Sequence, residues 1–150
     1  ATIQSTNGNV SFNTIGVPGA IAITGGAANG IISASGGAGT INLNGGSNAV
    51  SVNANQLLGT VTGAGSTFTI NSGLVGSQLN LGAINATGNI VLTSAGNMAV
   101  ASDITTSGGN LTLTSSNASS GQIGFATNAD LLASNNVRSW SPDQCCGCQW

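Results

Sequence analysis

Two phrases, "GNIVLTS" at 88–94 and "GNLTLTS" at 109–115, repeat at an offset of 21 residues. They belong to a beat that runs along most of the chain. Short runs such as "GNVSFN" (8–13), "AIAIT" (20–24), "TINLN" (40–44), "AVSVN" (49–53), "TFTIN" (67–71), "QLNLG" (78–82) and "QIGFA" (122–126) alternate apolar residues with small or polar ones. Their first apolar residues, from Val10, Ile21, Ile31 and Ile41 to Met98, Leu111 and Ile123, are mostly nine to eleven positions apart. Alternation of period two sends successive side chains to opposite faces of a strand. A fixed period of self-similarity marks a repeat architecture.

Strands this short and this evenly spaced suit stacked coils better than a sandwich. The expected fold is therefore all-β: a single-domain β-solenoid (a parallel β-helix) of about six coils of roughly 20 residues each. The repeat body spans 1–126, and a non-repetitive C-terminal tail spans 127–150. The inward ladder predicted from the alternation is Val10, Phe12, Ile21, Ile23, Ile41, Leu43, Phe68, Ile70, Leu79, Leu81, Ile90, Leu92, Leu111 and Leu113. Ser11, Ser33, Ser51, Thr69, Val91 and Thr112 form an outward column in the same register. Gly-Gly, Asn-Gly and Gly-Asn pairs between the runs supply corners. No helical period appears before 127–137, where "ADLLASNNV" reads as a short helix or an irregular cover.

Composition excludes most partners. Glycine supplies 24 of 150 residues, charged residues are 3%, and His, Lys, Glu and Tyr are absent. Disorder is disfavoured, because 40% of the chain is hydrophobic and β-branched residues recur on the beat. One Arg and no Lys cannot line a phosphate backbone, so no nucleic acid is expected. No apolar stretch is long enough for a membrane-spanning helix, so no membrane insertion is expected. The chain starts at Ala1 rather than Met, which reads as a mature protein after leader removal or as a cut-out piece. Leader removal would place it outside the cytosol, where thiols oxidise.

"GNIVLTSAGNMAV", "GGNLTLTSS" and "GGAGTINLNGG" resemble the repeats of filamentous-haemagglutinin-type exoproteins, bacterial adhesins of two-partner secretion. The resemblance covers about 8–126. It implies a right-handed coil, a secreted or cell-surface location, and roles in adhesion, matrix building and cell–cell contact. The chain is much shorter than such exoproteins and has no match to their amino-terminal secretion domain. Some members end in a cysteine pair that hooks the fibre to the outer membrane. "CCGC" would match such a hook through Cys145 and Cys148, with Cys146 left outside the scheme.

Catalysis is not expected. Without His there is no Ser–His–Asp or Cys–His machinery. Asp103 stands by itself in the body, Asp130 and Asp143 sit in the tail, and no two carboxylates are expected on one coil face for acid/base work. "GGAGTINLN" (36–44) approaches the calcium nonapeptide, but Ile41 stands where its aspartate belongs. No cofactor or metal is expected. Asn9, Asn85, Asn110 and Asn117 open N-x-[ST] sequons, which chance supplies in so Asn- and Thr-rich a chain. Thr67/Thr69 and Thr112/Thr114 bring ice-binding solenoids to mind, but the pair is not kept coil after coil.

The tail holds the remaining chemistry. Leu131, Leu132, Arg138, Trp140 and Trp150 break the beat and read as a cap or docking segment; Cys145, Cys146 and Cys148 are cross-link candidates. Three thiols cannot all pair within one chain. A Cys145–Cys148 loop leaving Cys146 for another chain, three bonds to neighbours, and a Cys₃ metal site with an outside ligand all fit the spacing. A neutral body with open ends should associate, since little charge opposes it. The expected function is structural: a secreted, non-enzymatic subunit of a bacterial extracellular fibre, sheath or matrix, self-assembling by end-to-end and/or lateral association of solenoids, with the Cys-rich tail linking subunits. Its other expected partners are a cell surface or polysaccharide. The second expectation is a fragment of a long surface adhesin, and the third an ice-binding solenoid.

Overall fold

The structure, a computed structural model, describes residues 2–5, 10–13, 21–34, 37–116 and 121–141. Its strands, in chain order, begin with β1 (Thr2–Ser5), β2 (Val10–Asn13), β3 (Ile21–Ala34), β4 (Thr40–Asn44) and β5 (Val50–Leu58). The middle of the chain carries β6 (Thr60–Gly65), β7 (Phe68–Ser72), β8 (Gln78–Ala86), β9 (Ile90–Ser94) and β10 (Asn97–Val100). The last are β11 (Ile104–Thr106), β12 (Leu111–Ser115), β13 (Ile123–Phe125), β14 (Leu131–Ala133) and β15 (Val137–Trp140). No helix occurs among the described residues. All strand pairs are parallel, and each strand pairs with the equivalent strand one coil away. The chain is a parallel β-solenoid of about five turns.

One sheet runs β1-β3-β5-β7-β9-β12-β15, and the other runs β13-β10-β8-β6-β4-β2, with β11 also on β8 and β14 on β11. Because each pairing is in register, like positions stack into columns. Ile21 lies over Val50, Val50 over Phe68, Phe68 over Ile90, Ile90 over Leu111 and Leu111 over Val137. A second column runs Val10, Ile41, Val61, Leu81, Val100, Phe125. Ile41, Phe68, Ile70, Leu79, Leu81, Ile90, Leu92, Leu111 and Leu113 have no exposed surface, and they share one continuous core. Phe12 and Ile23, in the first coil, are partly buried against it. Fully burying one such side chain stabilises the fold by about 1.5–3 kcal/mol.

The turn count is about five rather than six because the coils are unequal. Cross-coil partners are 18 residues apart at Asn53/Asn71, 21 at Asn89/Asn110 and 26 at Asn110/Asn136. The coil from Val10 to Ile41 is longer still, since it contains the 14-residue β3, whose register against β5 shifts between Thr24 and Gly26 and again before Ile31. The helix or irregular cover expected over 129–137 is replaced by β14 and β15. Leu131 pairs with Ile104 and Val137 with Leu111, so the backbone of these residues has a free ladder to extend and does not need helical hydrogen bonds.

An unpredicted serine column occupies the inward end of one facet. Ala54 gives way to Ser72, Ser94 and Ser115, and Ser141 follows the last paired position of β15. All four serines are buried, and three show what they do. Ser94 Oγ donates to Asn97 O at 3.2 Å and accepts the Gly96 N–H at 3.1 Å; Ser115 Oγ donates to Gly96 O at 2.7 Å; Ser141 Oγ donates to Gly121 O. A small hydroxyl thus satisfies the backbone where the chain turns, which a buried corner requires.

Gly96 sits at that corner, stacked so closely on the coil below that a Cβ would run into the carbonyl of Ser77. Gly124, by contrast, lies in a strand where a Cβ would meet only Met98 O at 3.9 Å. Gly96→Ala should therefore cost about 1–3 kcal/mol, as overpacking does, while Gly124→Ala should leave stability nearly unchanged. Urea denaturation followed by circular dichroism checks this; equal midpoints for the two variants would show that the corner has room to relax.

Candidate functional site

A solenoid presents outer faces, corners and two ends, and the tail residues singled out by sequence fall on the last of these. β15 lies on β12 with Arg138 beside Thr112 and Trp140 beside Thr114. Both point to the outside, and Trp140 is 57% exposed. It therefore does not close the core. Leu131 is partly buried against the core above Ile104, whereas Leu132 faces outward, 53% exposed. Cys145, Cys146, Cys148 and Trp150 lie outside the described residues, as do Asp143 and the sequon residues Asn9 and Asn117.

Arg138 and Trp140 crown a flat face. Its columns are Ala22, Ser51, Thr69, Val91, Thr112, Arg138 and, two residues on, Asn53, Asn71, Thr93, Thr114, Trp140. The expected outward column is corrected at two places. Ser11 belongs to the other sheet, beside Asn42, and Ser33 is buried beside Leu58. A uniform step of about twenty residues misassigns both, because the first coils are long. Thr-x-Thr occurs in register once on the described face, at Thr112/Thr114; the neighbouring coils present Val91/Thr93 and Thr69/Asn71.

An amide ladder borders this face at the corner before β9, β12 and β15. Asn89 Oδ1 accepts the Asn110 backbone N–H at 2.9 Å and its Nδ2 at 3.4 Å; Asn136 Nδ2 donates to Asn110 Oδ1 at 3.2 Å. A matching pair, Asn71 to Asn53 at 3.1 Å, lies on the face itself. Each amide both donates and accepts, so one residue type can repeat indefinitely along the axis.

Asp103 and Asp130 also stack. The Asp130 N–H donates to Asp103 Oδ1 at 3.0 Å, and the two residues directly precede the paired Ile104 and Leu131. The two acidic residues thus stack at one corner, a proximity that the 27-residue step between them hid in the sequence. The contact gives Asp103 a capping role at the corner. Both side chains are exposed, and no group of three or more metal-ligating side chains occurs among the described residues. A shallow depression of about 340 Å³ runs along the corner between Gly46, Gly65, Ala86 and Ser107, where successive coils carry small residues.

No family model matches the chain, and no curated protein or solved structure matches it either. The fold places the chain in the class of parallel β-solenoids.

The amide ladder makes a local prediction. Asn110→Ala removes one acceptor and one donor between coils and should cost about 0.5–1.5 kcal/mol. Its mark should be faster amide exchange in 136–140, the segment that Asn110 ties to the stack. Unchanged exchange there would mean that backbone pairing alone holds the last strand.

Proposed function

We propose that the chain is a structural, non-enzymatic subunit that assembles with copies of itself into a secreted fibre, sheath or matrix, with the cysteine-bearing tail linking subunits. The observation that carries this reading is the state of the last coil. Phe125 and Val137 occupy core columns and are each 45% exposed, while Val100 and Leu111 beneath them are 1% and 0% exposed. A stack whose core columns reach an open end favours addition of another unit. The near absence of charge over the whole chain favours the same outcome. The resemblance of the repeats to filamentous-haemagglutinin-type exoproteins supports a bacterial, extracellular setting.

A second reading, a piece of a longer adhesin that contacts a glycan surface, draws support from Asn136, Arg138 and Trp140. Arg138 and Trp140 project outward from alternate positions of β15, and Asn136 directly precedes the strand, so an amide, a cation and an aromatic plate follow one another along one edge. Ice binding ranks third, since the outer columns do not keep a threonine pair.

Negative-stain electron microscopy of the purified chain, with and without a thiol reductant, tests the proposal. Fibres of uniform width that shorten on reduction are expected. Fibres indifferent to reductant would retain assembly and reduce the cysteines to a local clasp. Discrete particles in both conditions would overturn the subunit reading in favour of the adhesin piece.

A further inference from the structure

We infer that assembly is axial and head-to-tail: the last coil of one copy seats against the first coil of a second copy, continuing the same core columns across the junction. This rests on the self-assembly reading and specifies its geometry. Among the described residues, β1, β2 and the opening segment of β3 (Ile21–Thr24) pair on one side only, and so do β13, β14 and β15. Apart from β1, whose partner is the far end of β3, β2 and Ile21–Thr24 belong to the same two sheets as β13, β14 and β15. The Val10 column ends at Phe125 and the Ile21 column ends at Val137, so both ends of each column are apolar. Phe125 and Val137 are each 45% exposed, whereas Val10 and Ile21 face inward at 8% and 7%, so it is the backbone edge of the first coil that is offered.

Chain direction completes the fit. Every pairing is parallel, so the edge of the last coil offers what each coil already offers to the one above it. A second copy translated along the axis supplies strands in the right direction, with the right alternation and at the right places in the cross-section. β2 then covers β13, with Val10 over Phe125, and Ile21–Thr24 covers β15, with Ile21 over Val137. Another protein would have to match direction, alternation and facet spacing at once. The facet of Ile3, Ile32 and Leu57 is confined to the first coils, so continuity runs along two facets. No proline and no inward charge lies in these four segments; the one charge, Arg138 of β15, is on the outer face.

Three full-length proteins test the geometry by sedimentation and electron microscopy: the wild type, Phe125→Asp, and Val91→Asp on the flat outer face. Phe125 is already half exposed in the single molecule, so its substitution should leave the β signal in circular dichroism intact. A carboxylate buried at the junction without a partner should reduce the assembled fraction roughly tenfold or more, whereas Val91→Asp should assemble like the wild type. Assembly lost in Val91→Asp and kept in Phe125→Asp would overturn the axial geometry while leaving self-assembly standing. A wild type that stays single would remove the self-assembly reading itself. Hydrogen exchange on the wild type gives a second check. Amides of β2, 21–24, β13 and β15 should slow on assembly. Protection of β13 and β15 already complete in single molecules would mean that residues 142–150 of the same chain occupy that end, and would overturn the inference.

Discussion

The parallel backbone ladder between coils is the constraint on which everything else depends. It fixes the rise from coil to coil at the spacing of paired strands, about 4.8 Å, and it forces residues in register to sit directly over one another. Once Leu92 lies over Ile70 and Leu113 over Leu92, the interior can only be a set of columns. The corners must then turn in whatever space the ladder leaves. Gly96, pressed on the Ser77 carbonyl, and the buried hydroxyls of Ser94 and Ser115 are the local answers to that restriction.

The same ladder explains how a chain with so few charged groups can be well determined. Hydrogen bonding between like residues replaces ion pairing. Asn89, Asn110 and Asn136 pass one bond up the axis, and Asp103 accepts from the backbone of Asp130. Such contacts repeat without needing a complementary residue, so a low-complexity sequence can supply them. Every buried side-chain nitrogen and oxygen among the described residues has a partner. A structure of this kind has no natural stop, which is why the end coils carry the functional interest.

Much of the architecture was legible in the beat. Alternation along "TINLN" and "TFTIN" separated the inward Ile41, Leu43, Phe68 and Ile70 from the residues between them, and regular spacing favoured coils over a sandwich. The flat face was legible only in part. Its middle, Ser51 to Thr112, follows from steps of about twenty residues, but Ser11 and Ser33 do not lie on it and Arg138 and Trp140 do. The serine column could have been read from "TINS", "VLTS" and "LTLTS", where Ser72, Ser94 and Ser115 fall on the apolar beat. Polarity argued for solvent there, yet a hydroxyl is small enough to turn inward and bond a corner carbonyl.

By itself, the sequence determined the class of fold and the side that faces the core in strands such as β4, β7, β9 and β12, because a period of two and a recurring unit are local properties of the chain. Tertiary structure alone decided which residues become neighbours across coils. Coil length depends on how many residues each corner and bulge absorbs, as the long path from Val10 to Ile41 shows, and a shift of one coil step changes every partner above it. That is why the stacking of Asp103 on Asp130, the continuation of the ladder into β14 and β15, and the open columns at Phe125 and Val137 appear only when the coils are wound.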